Sequence, residues 1–258
     1  MKILAALFLG ALCVPVHAGP PFKTDDPEPV DLGHLEAYLF SLGGSVPGDF
    51  SGLGPAVEFN YGILPDTQFH IIVPYAFDLP ADAPAQGGPG DIEIGVKYRF
   101  VHETSRMPQI GIFPFVEVPS GNANKGLGAG HAQVYLPVWA QKSWGPWTTY
   151  GGYGWWRNPG PGNRNWSYLG WLVQRDLGKR LTLGVEATHN TASTTGARAS
   201  TGFDTGGQVN LTEKHHILFS VGRSVAGQRQ SYFYLGYQFT TGTFGNLGDW
   251  LHHRPLHA

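Results

Sequence analysis

The chain has 258 residues, with 37 Gly, 20 Pro, 13% aromatic and only 14% charged residues, and a formal net charge of −2. Soluble domains average about 25% charged residues, so this composition suits many strands and turns, and the slight negative balance argues against nucleic-acid binding. Beyond the leader there is no cysteine, hence no disulfide in the remainder, and no uninterrupted apolar run of about 20 residues, which excludes a spanning helix.

Residues 1–18 read as a secretory signal peptide. Lys2 supplies the positive end, Ile3 to Val16 the apolar core, and Val16-His17-Ala18 a small-residue cleavage site before Gly19. Cys13 lies within the apolar core behind Leu12, not behind the small residue of a lipoprotein signal. Residues 19–31, GPPFKTDDPEPVD, hold four prolines and four acids and form no regular element. They are expected to be an extended periplasmic lead-in, followed by a barrel over 32–240 and a C-terminal tail over 241–258.

Leu32–Leu42 alternates Leu35, Ala37 and Leu39 against His34, Glu36 and Tyr38. After a Gly/Ser/Pro loop at 43–54, Pro55–Ile63 sets Val57, Phe59, Tyr61 and Ile63 against Glu58, Asn60 and Gly62. A short turn at Pro65-Asp66 leads into Thr67–Phe77, where Pro74 removes a ladder donor and predicts a bulge. The clearest strand is Asp91–Val101. Ile92, Ile94, Val96, Tyr98 and Phe100 fill one face, and Asp91, Glu93, Lys97 and Arg99 the other. Side chains alternate across a strand. Eleven residues exceed the usual soluble strand of about 5–6 and suit a tilted membrane-spanning strand of about 9–11.

Pro108–Val118 and His131–Gln141 repeat the pattern around a Gly-rich loop at 119–130. Trp147–Trp156 and Asn165–Arg175 carry Trp, Tyr and Gly on both faces, so pattern leaves their phase open; Leu169, Trp171 and Val173 are taken as outward. Seven of the eight tryptophans lie between Trp139 and Trp171, as interfacial girdles would place them, an aromatic soluble core being the alternative. Arg180–Thr188, Phe203–Leu211, a strand through Ile217 and Val221, and Ser231–Phe239 complete twelve strands. An even strand number with turns and longer loops alternating is the pattern of bacterial outer-membrane barrels. The predicted fold is all-β, a transmembrane antiparallel up-and-down β-barrel of twelve strands behind a signal peptide.

Energetics sets the inside-out sense, because a Lys or Arg on the lipid face costs about 2–4 kcal/mol at the midplane. The lumen-lining candidates are therefore the acids Glu36, Glu58, Asp91, Glu93, Glu117, Glu186 and Asp204, the bases Lys97 and Arg99, and the neutral Gln68, His70, Gln109, His131, Gln133, Gln208 and Asn210. Glu93 and Lys97 lie about 13 Å apart at about 3.3 Å per residue, so their partners are expected from the flanking strands, among Gln68, His70, Gln109 and Glu117. The acidic excess predicts a polar path with a mild cation preference. The alternative is that these groups pair across strands and fill the barrel.

The segments PFKTDDPEPVDLGHLEAYLF, GDIEIGVKYRF and FVEVPSGNANKGLGAG resemble the outer-membrane transporter family labelled for a meta pathway of phenol degradation. The motifs are Thr24-Asp25-Asp26-Pro27, Gly90-Asp91 and Pro119-Ser120-Gly121. The resemblance spans most of the mature chain and implies an outer-membrane barrel and, by label, passage of small organic compounds. It supplies no catalytic residues. Gly236-Tyr237-Gln238-Phe239 looks like the aromatic-ended last strand that barrel assembly recognises, although about 19 residues follow Phe239.

Other constellations carry less. Gly126–Gly130 has no following Gly-Lys-Ser/Thr for a phosphate loop. His215, His216, His252, His253 and His257 have no Cys or acid at metal-ligand spacing. Thr188-His189-Asn190 near Ser193 contains no recognisable nucleophile motif, so no catalytic, cofactor or metal residue is assigned. The expected function is passive passage of small solutes through the bacterial outer membrane, without a cofactor. Expected partners are membrane lipid, the barrel-assembly machinery and small solutes, with no nucleic acid; monomer and homo-oligomer stay open. The alternatives are a non-transporting structural or surface-interaction barrel, a barrel enzyme, and a soluble periplasmic β-sandwich.

Overall fold

The computed structural model describes residues 20–241, so the leader and all but the first residue of the C-terminal tail lie outside the described residues. The strands are β1 (Leu35–Val46), β2 (Asp49–Leu64), β3 (Thr67–Asp78), β4 (Gln86–Pro89), β5 (Ile92–Val101), β6 (Gln109–Ile112), β7 (Phe115–Val118), β8 (Gln133–Trp144), β9 (Trp147–Arg157), β10 (Trp166–Asp176), β11 (Leu181–Asn190), β12 (Ser200–Asn210), β13 (His215–Gly227) and β14 (Ser231–Thr240). β4 and β5 pair with successive halves of β3, and β6 and β7 with successive halves of both β5 and β8. Each couple is one interrupted stave, so the fourteen segments make twelve staves. β1 pairs antiparallel with β14 from Glu36↔Thr240 to Ser45↔Ser231, which closes the sheet and leaves no edge.

Period-two alternation decides which side chains face out. Ile94, Val96, Tyr98 and Phe100 of β5 point outward, while Glu93 and Lys97 are 3% and 6% exposed inside. Leu169, Trp171 and Val173 of β10 are outward, which settles the phase that pattern left open. Val185, Val221 and Leu235 continue the apolar belt around the barrel. The tryptophans divide between the two surfaces. Trp144, Trp147 and Trp171 are exposed, but Trp139, Trp156 and Trp166 are buried inside, so the girdle expectation accounts for only part of the set.

The structure redraws several boundaries. The predicted loop at 43–54 is instead strand up to a two-residue turn at Pro47-Gly48, with Gly48 at φ 88°. Glycine and serine read as breakers locally, but ladder pairing on both sides holds them extended, and Phe50 packs on Phe77 and Phe233 at centroid distances of 5.6 and 6.2 Å. The irregularity expected at Pro74 lies opposite it, where the β2–β3 register shifts between Leu53 and Ala56. β8 begins at Gln133 and runs to Trp144, leaving His131 in the preceding loop.

The start of β1 and the end of β14 lie at one end of the barrel with the turns at 65–66, 102–108, 145–146, 177–180 and 211–214. The opposite, loop end carries the connections at 47–48, 79–85, 119–132, 158–165, 191–199 and 228–230. Val185, at mid-strand in β11, is 56% exposed on the outer face. Val185→Lys is expected to lower folding stability in bilayers by about 2–4 kcal/mol, read by denaturant titration of the reconstituted barrel. Val185→Thr keeps the small β-branched shape without the charge and is expected to lose much less.

Candidate functional site

The interior is organised around residues 20–31, which the sequence suggests lie outside the barrel as a lead-in but which run inside it. Phe22, Thr24, Asp25 and Pro27 are buried against the inner wall. The Thr24 N–H and, at 3.3 Å, the Lys23 N–H donate to the Glu186 carboxylate on β11. The Tyr168 hydroxyl on β10 donates to the same carboxylate at 2.9 Å and also contacts Thr24 Oγ1 at 2.8 Å. Room for this crossing comes from absent side chains: a Cβ at Gly170 would collide with Thr24 Oγ1 and the Tyr168 hydroxyl. Ser220 on β13 donates to the Pro21 carbonyl at 2.5 Å, and Lys23 Nζ sits 3.1 Å from the centroid of the Tyr232 ring.

Lys97 on β5 ends 3.1 Å from Asp25 Oδ1 and 3.7 Å from Asp26 Oδ1. Its partner therefore comes from the N-terminal segment, while Gln68, its cross-strand neighbour, accepts from the Val30 N–H at 2.8 Å. Glu28 accepts from Gln109 at 3.1 Å and Gln141 at 3.3 Å and lies 3.7 Å from Arg99. Arg99 donates to Gln109 Oε1 at 2.9 Å and to Asp66 Oδ1 at 2.8 and 3.0 Å. Asp66, at φ 56° in the β2–β3 turn, also meets His102; hydrogen bonding from Arg99, foremost, holds its carboxyl below the ordinary range.

Beside this segment, β2, β3 and β5 bring Glu58, Asn60, His70 and Glu93 into one buried network. Asn60 Nδ2 donates to Glu58 at 2.7 Å, leaving Asn60 Oδ1 2.6 Å from His70 Nδ1, while His70 Nε2 is 2.8 Å from Glu93. Oxygen atoms on both sides fix the imidazole plane, and Phe113 packs edge-on against it at 5.0 Å.

Phe113 begins an aromatic ladder up the inner wall. Successive centroid distances are 5.7 Å to Phe115, 5.0 Å to Tyr135, 4.7 Å to Trp156 and 5.4 Å to Trp166. A Cβ at Gly154 would strike the Tyr135 ring, so glycine there permits the stack. The two ends of the ladder border separate spaces. A cavity of about 1200 Å³ opens among Glu36, Glu58, Gln68, Lys97, Phe113, Gln208 and Asn210, and a hollow of about 240 Å³ near the loop end is lined by Asp91, Glu117, Gln133 and Trp166.

Asp91 holds a loop. Its carboxylate accepts from the Gly121 N–H at 2.8 Å and the Ala129 N–H at 2.7 Å, and Ser120 Oγ bridges the Gly90 carbonyl and the Ile92 N–H, each at 2.9 Å. The Gly90-Asp91 and Pro119-Ser120-Gly121 motifs are thus one contact. Within that loop a short 3-10 turn, Ala123–Lys125, ends on Gly126 at φ 71°.

The remaining candidates lie apart. His131 contacts the Gly130 carbonyl at the rim, Gln133 donates to Asn158, and Gln208 donates to Asn210, which lies 2.8 Å from His216 Nδ1. Asp204 is buried on β12, across the ladder from Glu186, and Glu117 faces Glu93 in register. Sequence reasoning missed Thr24, Asp25, Glu28, Tyr168 and the inward tryptophans. A signal was present: Lys97 and Arg99 needed acids, and the acid-rich segment beside the leader had no assigned partner. Among the described residues no group of three or more His, Cys, Asp or Glu is arranged to hold a metal.

A closed antiparallel twelve-stave barrel with an apolar exterior and a polar, aromatic interior defines the outer-membrane β-barrel fold. Solved structures sharing it include an outer membrane channel from Pseudomonas putida F1, at 15% identity and TM-score 0.68 over 83% of this chain and 98% of that one. The NanC porin matches at 8% identity and TM-score 0.55 over 79% and 98%, respectively. The KdgM porin in complex with disordered oligogalacturonate matches at 10% identity and TM-score 0.55 over 78% and 98%. All three are channels or porins by name, and at these identities the likeness is one of fold. No protein-family model matches the sequence, and no curated protein matches it.

Lys97→Met strands the Asp25 carboxylate, which is 1% exposed. Removing one partner of a buried pair costs about 3–5 kcal/mol, so the segment is expected to leave its seat. A Thr24→Cys reporter should then react with a water-soluble thiol reagent much faster than in the Lys97 background. Asp91→Ala removes two anchors of the loop at 119–132 and is expected to speed tryptic cleavage after Lys125, with the barrel's heat-modifiable gel mobility unchanged.

Proposed function

We propose that the chain is an outer-membrane channel for passive passage of small solutes, with small organic and aromatic compounds as its favoured class. The observation that carries this reading is the ladder from Phe113 to Trp166, which begins at the wall of the large cavity and ends at the hollow near the loop end. The rings are 0–4% exposed, so a planar or apolar solute passes by parting them, exchanging ring–ring contacts for equivalent ones of about 0.5–1.5 kcal/mol each. The solute can then move stepwise without being held at one depth. The phenol-degradation label attached to the family that the Thr24–Pro27, Gly90-Asp91 and Pro119–Gly121 motifs resemble points the same way.

The loop end faces outside and the end carrying the short turns faces the periplasm, by the usual disposition of short turns and longer loops. Insertion uses the aromatic-ended last strand at Gly236–Phe239. The large cavity meets Asp26, Glu28, Asp31, Glu36 and Glu213 against Lys97, Lys179 and Arg180, and this acidic excess supports a mild cation preference.

Liposome swelling with aromatic alcohols and with neutral sugars of similar size tests the reading. Faster entry of the aromatic solutes is expected, with a loss of about two- to tenfold for them alone in Trp156→Ala and Trp166→Ala, the span of one aromatic contact. Reversal potentials under a KCl gradient should show cation preference. The filled lumen around residues 20–31 favours one competing reading, a non-transporting barrel whose loops make surface contacts. Absence of both swelling and conductance would overturn the channel reading in favour of that alternative.

A further inference from the structure

The loop end is electrically one-sided. The loops at 158–165, 191–199 and 228–230 and the strand ends beside them carry Arg157, Arg164, Arg198, Arg223 and Arg229, all exposed, and no Asp or Glu. The loops at 47–48 and 79–85 across the barrel mouth carry Asp49 and Asp78 at their edges and Asp82 within, and the loop at 119–132 carries Lys125 as its one Lys or Arg. A net charge of −2 conceals this separation.

The three arginine-bearing loops form one continuous rim. The Arg164 N–H donates to the Ser193 carbonyl at 2.9 Å, and the Thr195 N–H to the Gly162 carbonyl at 2.7 Å, joining the first loop to the second. The Gln228 N–H donates to the Ala199 carbonyl at 3.0 Å, and Gln230 Nε2 to Ser200 Oγ at 2.9 Å, joining the second to the third. None of the five arginines forms an ion pair among the described residues, whereas Lys97, Arg99 and Lys142 all do. The charge is therefore not spent within the chain.

Height on the barrel selects the partner. Arg157 is the last residue of β9, and Arg223 is level with Ser231 of β14, itself opposite Ser45 near the end of β1. Arg223 lies on the outward face two residues beyond Val221, about 7 Å along the strand. Arg157 and Arg223 leave the barrel at the loop-end margin of the apolar belt, and Arg164, Arg198 and Arg229 are exposed in the loops beyond it. Guanidinium binds phosphate through paired N–H donors and is the side chain suited to that geometry.

We infer that this rim docks the phosphorylated glycolipid headgroups of the outer leaflet, with Arg157, Arg164, Arg198, Arg223 and Arg229 as phosphate ligands on one side of the barrel only. The inference uses the orientation given under Proposed function and is independent of solute passage.

The full chain, folded in detergent and checked by heat-modifiable mobility, is mixed with bisphosphorylated lipid A, and retained lipid is read by native mass spectrometry. Replacing all five arginines by Gln should weaken retention by about tenfold or more, as expected for several lost surface charges. The five Arg→Lys replacements, which preserve charge and solubility, should retain an intermediate amount. Arg106→Gln with Lys179→Gln and Arg180→Gln, at the opposite end, should retain the lipid as the parent does. Equal retention by the five-Gln variant, equal retention of dephosphorylated lipid A, or equal loss in the opposite-end variant would overturn the assignment. Displacement of the lipid by inorganic phosphate would also overturn it, in favour of a free-phosphate site.

Discussion

In hydrocarbon a backbone N–H or C=O finds no water, so each must be paired within the protein. The pairing of β1 with β14 meets that demand, because it converts the two edges of a long sheet into one more ladder. The other architectural choices follow from closure. Interior and exterior become separate environments, alternating side chains are sorted between them, and inward glycines become useful because the enclosed space is limited. Gly170 and Gly154 mark where the interior is most crowded.

Closure also creates a problem of charge. Glu58, Glu93, Lys97, Glu186 and Asp204 are directed away from lipid by alternation, yet each is almost wholly buried inside. Burying ions costs free energy unless partners and hydrogen bonds surround them. The chain answers with pairs that cross long sequence distances: Lys97 with Asp25, Glu186 with Tyr168 and the Lys23 and Thr24 N–H groups, and His70 between Asn60 and Glu93. The result is an interior polar in composition but tightly specified in position.

The staves were legible because period-two alternation is a local signal and a membrane sharpens it: a wrong face costs free energy at every second residue. Ile94, Val96, Tyr98 and Phe100 could be placed from their spacing alone. The inner wall was legible as a list of residues but not as a set of contacts. Nothing in the spacing of Thr24, Asp25 and Glu28 says that they fold back into the barrel, since proline and acid content only excludes regular structure. Tryptophan was misjudged at Trp139, Trp156 and Trp166 because its amphipathic ring suits a membrane interface and a packed lumen equally well. The first loop was misjudged because glycine and serine break isolated strands but not strands held by neighbours on both sides.

The location of residues 20–31 fixes an order of events. Their partners sit on β3, β5, β6, β8, β10, β11 and β13, so the seat for this segment exists only once nearly every stave is in place. The part of the described chain that is synthesised first is thus the last to find its contacts. Until then its acids and the cations meant for them remain hydrated and separate, and the docking of Asp25 on Lys97 signals that the wall behind it is complete.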